Sequence, residues 1–300
     1  MINNPLDQVR STLVIMILFG VIFFLPLFIY QFLLVFDAAT LSAGAAFTFE
    51  SLVWALSYPV IAWFLWLGTA PRQDELADIV MNIPEPAEIR SYIRLSIILI
   101  ISSIGFTYLL FYPLSLVAPD MVYSWLLDSP YLLYWDDQGI YLLGNLAGLL
   151  LAIVFAPVVE EYLFRGYLLN RWTLRFGPLP AMLLSALIFA ILHPDVLGAF
   201  VFSIVMSLLY MKTRTLLAPI IVHAANNVFA VLMEWIDRSL FTGFEQVTIS
   251  DFQDYLWLGM LCMLIGFPWL WLYVKRNFLP IQPLLLAHQQ GEKAGNDYLA

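Results

Sequence analysis

Long apolar runs separated by short polar stretches make up nearly the whole chain. The runs cover roughly 12–36, 47–70, 93–117, 139–170, 178–193, 197–213, 215–237 and 255–274. Most reach the ~20 residues that a helix needs to cross a ~30 Å hydrocarbon layer. A backbone in lipid must satisfy its own hydrogen bonds, and an open sheet edge cannot, so every run is expected to be a helix. The fold class is therefore all-α, a polytopic membrane helical bundle of about eight transmembrane helices. Residues 1–276 are expected to form one transmembrane domain, and the polar, proline-containing stretch 277–300 a cytoplasmic tail. The fifth and sixth runs are short by themselves, which points to steep or partly buried helices.

Composition supports the membrane reading. Hydrophobic residues make up 62% of the chain and charged residues 12%, against about 25% charged in soluble proteins. Arg10 followed by an apolar stretch is reminiscent of a signal peptide, but residues 13–36 far exceed an h-region of about 7–15 residues, so a retained first helix is expected. The lone Cys262 excludes an intrachain disulfide and a thiolate metal cage. A net charge of −9 argues against nucleic acid as a partner.

Charge also orients the chain. With the N-terminus inside, every Lys and Arg except Arg165 and Arg238 falls on inner segments. Asp37, Asp120, Asp128, Asp136, Asp137, Asp195, Glu245, Asp251 and Asp254 fall on outer ones. The positive-inside rule then gives eight spans with both termini inside. The linker 71–92, with Pro84 and Pro86, is expected to be irregular or interfacial, and the Trp- and Tyr-rich stretch 118–138 to lie at the outer interface.

Against this background the polar residues inside the runs stand out, because a charge at membrane depth costs about 2.5–3.5 kcal/mol on insertion scales and is usually functional. The fourth run carries Glu160, Glu161 and Arg165. Before them, Gly144, Gly148, Ala152 and Ala156 recur every four residues up to Glu160, a small-residue ridge that lets helix backbones approach closely. Pro157 is expected to bend the helix just before the carboxylates. Glu161 and Arg165 share a face and suit an ion pair, whereas Glu160 points about 100° away. The alternative is a structural ion pair near the headgroups, with Arg165 snorkelling.

Two later runs add polar pairs at helical spacing: Phe189 with His193, and His223 with Asn227, where Asn226 adds a neighbouring amide. Each has a bland reading, as an interfacial histidine or as interhelical hydrogen bonding. Depth brings them together. Counted from the inner ends of the runs, Glu160 lies about 16 Å deep, His193 about 22 Å and His223 about 12 Å. One carboxylate, two imidazoles and a carboxamide can hold and deprotonate a water and stabilise an oxyanion. A competing arrangement is a zinc site with Glu160, His193 and His223 as ligands. Neither an H-E-x-x-H helix nor a G-x-S-x-G elbow is present. Different classes remain open: a proton-coupled transporter, whose broken-helix repeats are not found, and a non-catalytic membrane immunity or scaffold protein.

Glu160-Glu161-x-x-x-Arg165, Phe189-x-x-x-His193 and His223-x-x-x-Asn227, in this order on successive helices, resemble the CPBP family. This family groups type II CAAX prenyl endopeptidases with bacterial proteins linked to bacteriocin processing and self-immunity. The resemblance covers about residues 140–235. It implies a glutamic-type intramembrane endopeptidase in which Glu160 and His193 activate the hydrolytic water, His223 and Asn227 stabilise the oxyanion, and Glu161 and Arg165 support the site. No cofactor is then expected, with zinc as the alternative. The expected partner is a membrane or lipid-attached peptide or protein. The lean loops suggest a bacterial inner membrane as the setting.

Overall fold

The computed structural model describes residues 41–69, 83–128, 132–242 and 247–278. The expected span at 12–36 and nearly all of the expected tail lie outside these residues. Among the described residues six helices are long and apolar enough to cross a membrane. They belong to α1 (Ala43–Thr69), α2 (Pro86–Val117), α4 (Leu142–Phe176), α6 (Val196–Thr213), α7 (Leu217–Asp237) and α9 (Leu256–Phe278). Three shorter helices are also found among the described residues: α3 (Pro119–Val122), the apolar α5 (Pro178–Ile191) and α8 (Ile249–Asp254). The chain is thus an all-α, multi-pass membrane protein.

Helix α2 begins well before the expected residue 93. Glu85 and Glu88 form a reciprocal capping box, and Pro86 occupies the first turn, where its missing N–H costs nothing. Pro86 is therefore a helix start, Pro84 lies in the non-helical residues before it, and residues 71–82 of the expected linker lie outside the described residues. The stretch 118–138, expected at the outer interface, has secondary structure of its own. It holds α3 followed by a π-helical turn at Tyr123–Leu127, and then β1 (Trp135–Asp136), which pairs antiparallel with β2 (Gly139–Ile140).

The chain divides into two compact units. The first takes in α1, the hairpin, α4 as far as Glu160, and α7 from His223. The second takes in α2, α3, α4 from Glu161, α5, α6, α7 as far as Val222, α8 and α9.

In the first unit the small-residue ridge of α4 packs on α1. A Cβ on Gly144 would lie 2.8 Å from the Thr48 Cα, and one on Gly148 would lie 3.4 Å from the Leu132 carbonyl oxygen. Asn145 then ties the hairpin segment to α4, exchanging hydrogen bonds with both backbone groups of Tyr134 at 2.8 Å. Glu234 of α7 accepts from the Leu132 and Leu133 amides and from Arg238. Gly144→Val cannot be absorbed by a flexible side chain, because its neighbour is backbone. It is expected to cost about 1–3 kcal/mol and to push α1 off α4, seen as a lowered melting temperature.

The second unit is cored by Leu169, Ala181, Met182, Leu208, Tyr210 and Leu216. Gly105 and Gly266 let α2 and α9 approach closely: a Cβ on Gly105 would meet the Met263 backbone at 2.8 Å. Gly177, at φ 83°, ends α4 in a conformation open to glycine and starts α5. Cys262 is buried in this unit.

Candidate active site

Helix α4 is not uniform. Two π-helical segments, Leu151–Phe155 and Tyr162–Leu169, flank the α-helical turn Ala156–Glu161 that carries both carboxylates. Such segments are rare, and they cluster at functional sites. Their wider winding sets the direction of everything that follows in the helix.

In the first unit, Glu160 is held by a residue that no sequence spacing indicated. The Tyr58 hydroxyl of α1 donates to Glu160 Oε1 at 3.0 Å, across 102 positions of the chain. His223 Nε2 lies 4.0 Å from the other oxygen, Oε2. That is within ion-pair range but too long for a direct hydrogen bond. The Glu160 side chain keeps 15% of its surface exposed and that of His223 5%. The carboxylate is therefore oriented on one oxygen and faces an imidazole with the other.

Asn227 has a structural bond that Pro157 explains. The Ala156 amide reaches back to the Leu151 carbonyl in π register. In that register the Ala152 carbonyl would be served by residue 157, and proline has no N–H. Asn227 Nδ2 takes this place and donates to Ala152 O at 2.7 Å. A carboxamide nitrogen carries two hydrogens, so one such bond fixes the side chain and leaves it a second donor. His223 and Asn227, one turn apart on α7, thus meet α4 at Glu160 and at Ala152, two turns apart on that helix. The neighbouring Asn226 has a buried Oδ1 with no hydrogen-bond partner.

The other three motif residues belong to the second unit. Glu161 and Arg165 are fully buried and paired at 2.9 Å. The Arg165 guanidinium also donates to Ser203 through its hydroxyl at 2.9 Å and its carbonyl at 3.2 Å, and lies over the Phe189 ring at 4.9 Å. Complete burial removes snorkelling at a headgroup layer from consideration. Phe189 stacks on His193, with ring centroids 4.3 Å apart. His193 Nδ1 contacts the Phe189 carbonyl at 2.7 Å. A carbonyl only accepts, so Nδ1 carries the proton and Nε2 of the neutral ring is the basic nitrogen. Asp195, which caps α6 through the Gly198 amide at 3.1 Å, follows close behind. Burial pushes its carboxyl up from the ordinary value of 3.8, against the opposing pull of Ser103, Gly198, Thr107 and His193.

Among the described residues no group of three or more His, Cys, Asp or Glu side chains is arranged to hold a metal ion. Of the alternative zinc donors, Glu160 and His223 face each other in the first unit, and His193 belongs to the second.

Residues 142–229 match the family model described as Type II CAAX prenyl endopeptidase Rce1-like. This stretch is Rce1-like. The Rce1-like family is a protease family, and the matched segment contains Glu160, Glu161, Arg165, His193, His223 and Asn227. Tyr58 lies outside it. Comparison with curated proteins and with solved structures returned no match.

Tyr58 and Ser203 are the residues that the motifs did not announce. Tyr58 sits in an apolar run, where a tyrosine is ordinarily a packing or interfacial residue, and only tertiary contact reveals its partner. Tyr58→Phe removes one hydrogen bond to a charged group, worth about 1.5–3 kcal/mol. Once a substrate is in hand, kcat is expected to fall about tenfold or more, with KM little changed, as measured by steady-state cleavage.

Proposed function

We propose that this chain is an intramembrane endopeptidase that hydrolyses a peptide bond with a water activated by Glu160 and His193. The observation that carries the reading is the Glu160 carboxylate, oriented by Tyr58 on one oxygen and faced by His223 on the other. Glu160 acts as general base on the water, and His193, with Nε2 as its basic nitrogen, shares or relays the proton. His223 and the second N–H of Asn227 donate to the oxygen of the scissile carbonyl as it gains charge. Collapse of the tetrahedral intermediate passes a proton to the leaving amine. Glu161 and Arg165 act as positioning residues through the second unit. Membership of the Rce1-like segment in a protease family supports the reaction class.

The substrate is proposed to be a membrane-embedded or lipid-attached peptide, since the catalytic groups sit on apolar helices. The full chain is proposed to form a single transmembrane domain of eight spans with both termini inside. In this arrangement residues 12–36 supply the first span, α5 is a steep short span, and a bacterial inner membrane is the setting.

The test is cleavage of a panel of membrane-peptide substrates by purified protein. Undiminished cleavage by Glu160→Ala or His193→Ala would sink the mechanism. The reading assigns no resident metal. A zinc mechanism with Glu160, His193 and His223 as donors predicts instead that chelation abolishes cleavage and zinc restores it.

A further inference from the structure

Away from the motif residues, the second unit contains a groove of 620 Å³ between the start of α2 and the ends of α6 and α9. Its lining is graded in the same direction on all three helices. On α2, Ser91 and the exposed Arg94 come first, with Leu95 and Ile98 one turn further in. On α6 the order reverses with chain direction: Leu209 lies inward, and Thr213 and the exposed Lys212 lie at the end. On α9, Trp269 lies one turn inward of Tyr273, and the two rings stack at 5.6 Å and 11°. Cations and hydroxyls therefore ring the mouth, and aliphatic side chains line the floor.

We infer that this groove binds an anionic phospholipid, with the phosphate at Arg94 and Lys212 and the first acyl methylenes along Leu95, Ile98 and Leu209. Charge selects the headgroup. The one carboxylate in the lining, Glu88, is engaged by its own helix, accepting the Glu85 amide at 2.9 Å in the capping box. Arg94 and Lys212 outnumber this carboxylate, so the lining is net positive, and a choline headgroup would add to that positive charge. The apolar floor argues against a free phosphate, which gains nothing from Leu95, Ile98 and Leu209. The volume falls within the ~300–1,000 Å³ of small-molecule sites. Basic pockets between membrane helices at the headgroup level are where such lipids bind. The site is independent of peptide hydrolysis, and so is its test.

The full chain, purified in neutral detergent, is titrated with phosphatidylglycerol, phosphatidylcholine and inorganic phosphate, and bound lipid is counted by native mass spectrometry. Phosphatidylglycerol is expected to bind the wild type more tightly than phosphatidylcholine, and inorganic phosphate not to compete. Arg94→Gln/Lys212→Gln is expected to weaken phosphatidylglycerol binding by about 30-fold, from the loss of two cations near an anionic lipid. Arg90→Gln/Arg214→Gln removes the same charge outside the groove and is expected to leave binding unchanged. Equal loss in the two variants would mean diffuse electrostatics and overturn the site. Equal binding of phosphatidylcholine would assign the groove to the stacked aromatics, and competition by phosphate would assign it to a free anion; either result overturns the proposal. A second readout avoids dependence on the variant's folding. Brominated phosphatidylglycerol should quench tryptophan emission of the wild type, and Trp269→Phe should remove part of that quenching. Quenching that Trp269→Phe leaves intact would place the lipid elsewhere.

Discussion

Glu160→Gln is expected to lower turnover by about 10²–10⁴-fold, the usual contribution of a positioned general base, with the fold intact. Glutamine has the same shape, and its Oε1 still accepts the Tyr58 hydroxyl that now reaches Glu160 at 3.0 Å. Packing and that hydrogen bond persist, so the melting temperature is expected to stay within about 2 °C of wild type. What disappears is the capacity to take a proton. The loss should therefore fall on kcat rather than KM. Steady-state cleavage of a labelled membrane peptide, read beside a thermal melt in the same detergent, separates the two effects. Wild-type turnover in this variant would remove Glu160 from the chemistry.

The second large effect is structural and lies one residue along the chain. Glu161 and Arg165 are both 0% exposed and joined at 2.9 Å. Breaking a buried pair by deleting one partner costs about 3–5 kcal/mol, because the remaining charge stays in the interior. Glu161→Ala and Arg165→Ala are each expected to lower the melting temperature by about 6–20 °C at 2–4 °C per kcal/mol. Arg165→Lys is not expected to rescue: an ammonium cannot reproduce the fork that reaches Glu161 and both Ser203 acceptors. A double Glu161→Leu/Arg165→Met variant, which removes both charges, should melt closer to wild type than either single alanine variant. If the single substitutions melt like wild type, the pair is not the brace that its burial indicates. The contrast with Glu160→Gln is diagnostic, since one change moves only the rate and the other moves stability first.

These two residues show how much of the site was legible in the sequence. Spacing at i, i+4 put Glu161 with Arg165 on one helix face, and the pair forms. The 100° offset separated Glu160 from that pair, and Glu160 does take different partners. The Gly144–Gly148 ridge signalled close helix packing, and it packs on α1. In each case the signal was local, with partners within two turns on one helix or a period set by helix geometry. Tyr58 was not legible, because a phenol in an apolar run has the same sequence signature whether it packs against lipid or reaches a carboxylate. Nor was the bond from Asn227 to Ala152, which needs both the π register and the missing N–H of Pro157.

The sequence alone determined that this is an all-α, multi-pass membrane protein, since runs of apolar residues have no other stable form in lipid. It also singled out the polar side chains within those runs as candidates for chemistry, because polar groups are costly there. Tertiary structure decided which of those groups orient one another. It showed Glu160 facing Tyr58 and His223, and Arg165 buried under Phe189 and Ser203. It also set His193 Nδ1 2.7 Å from the Phe189 carbonyl, a contact in which that nitrogen must donate. Hydrogen bonds a few ångströms long between helices depend on where α-helical turns give way to π turns. Each such change rotates all that follows in the helix, and hydrophobic periodicity does not record it.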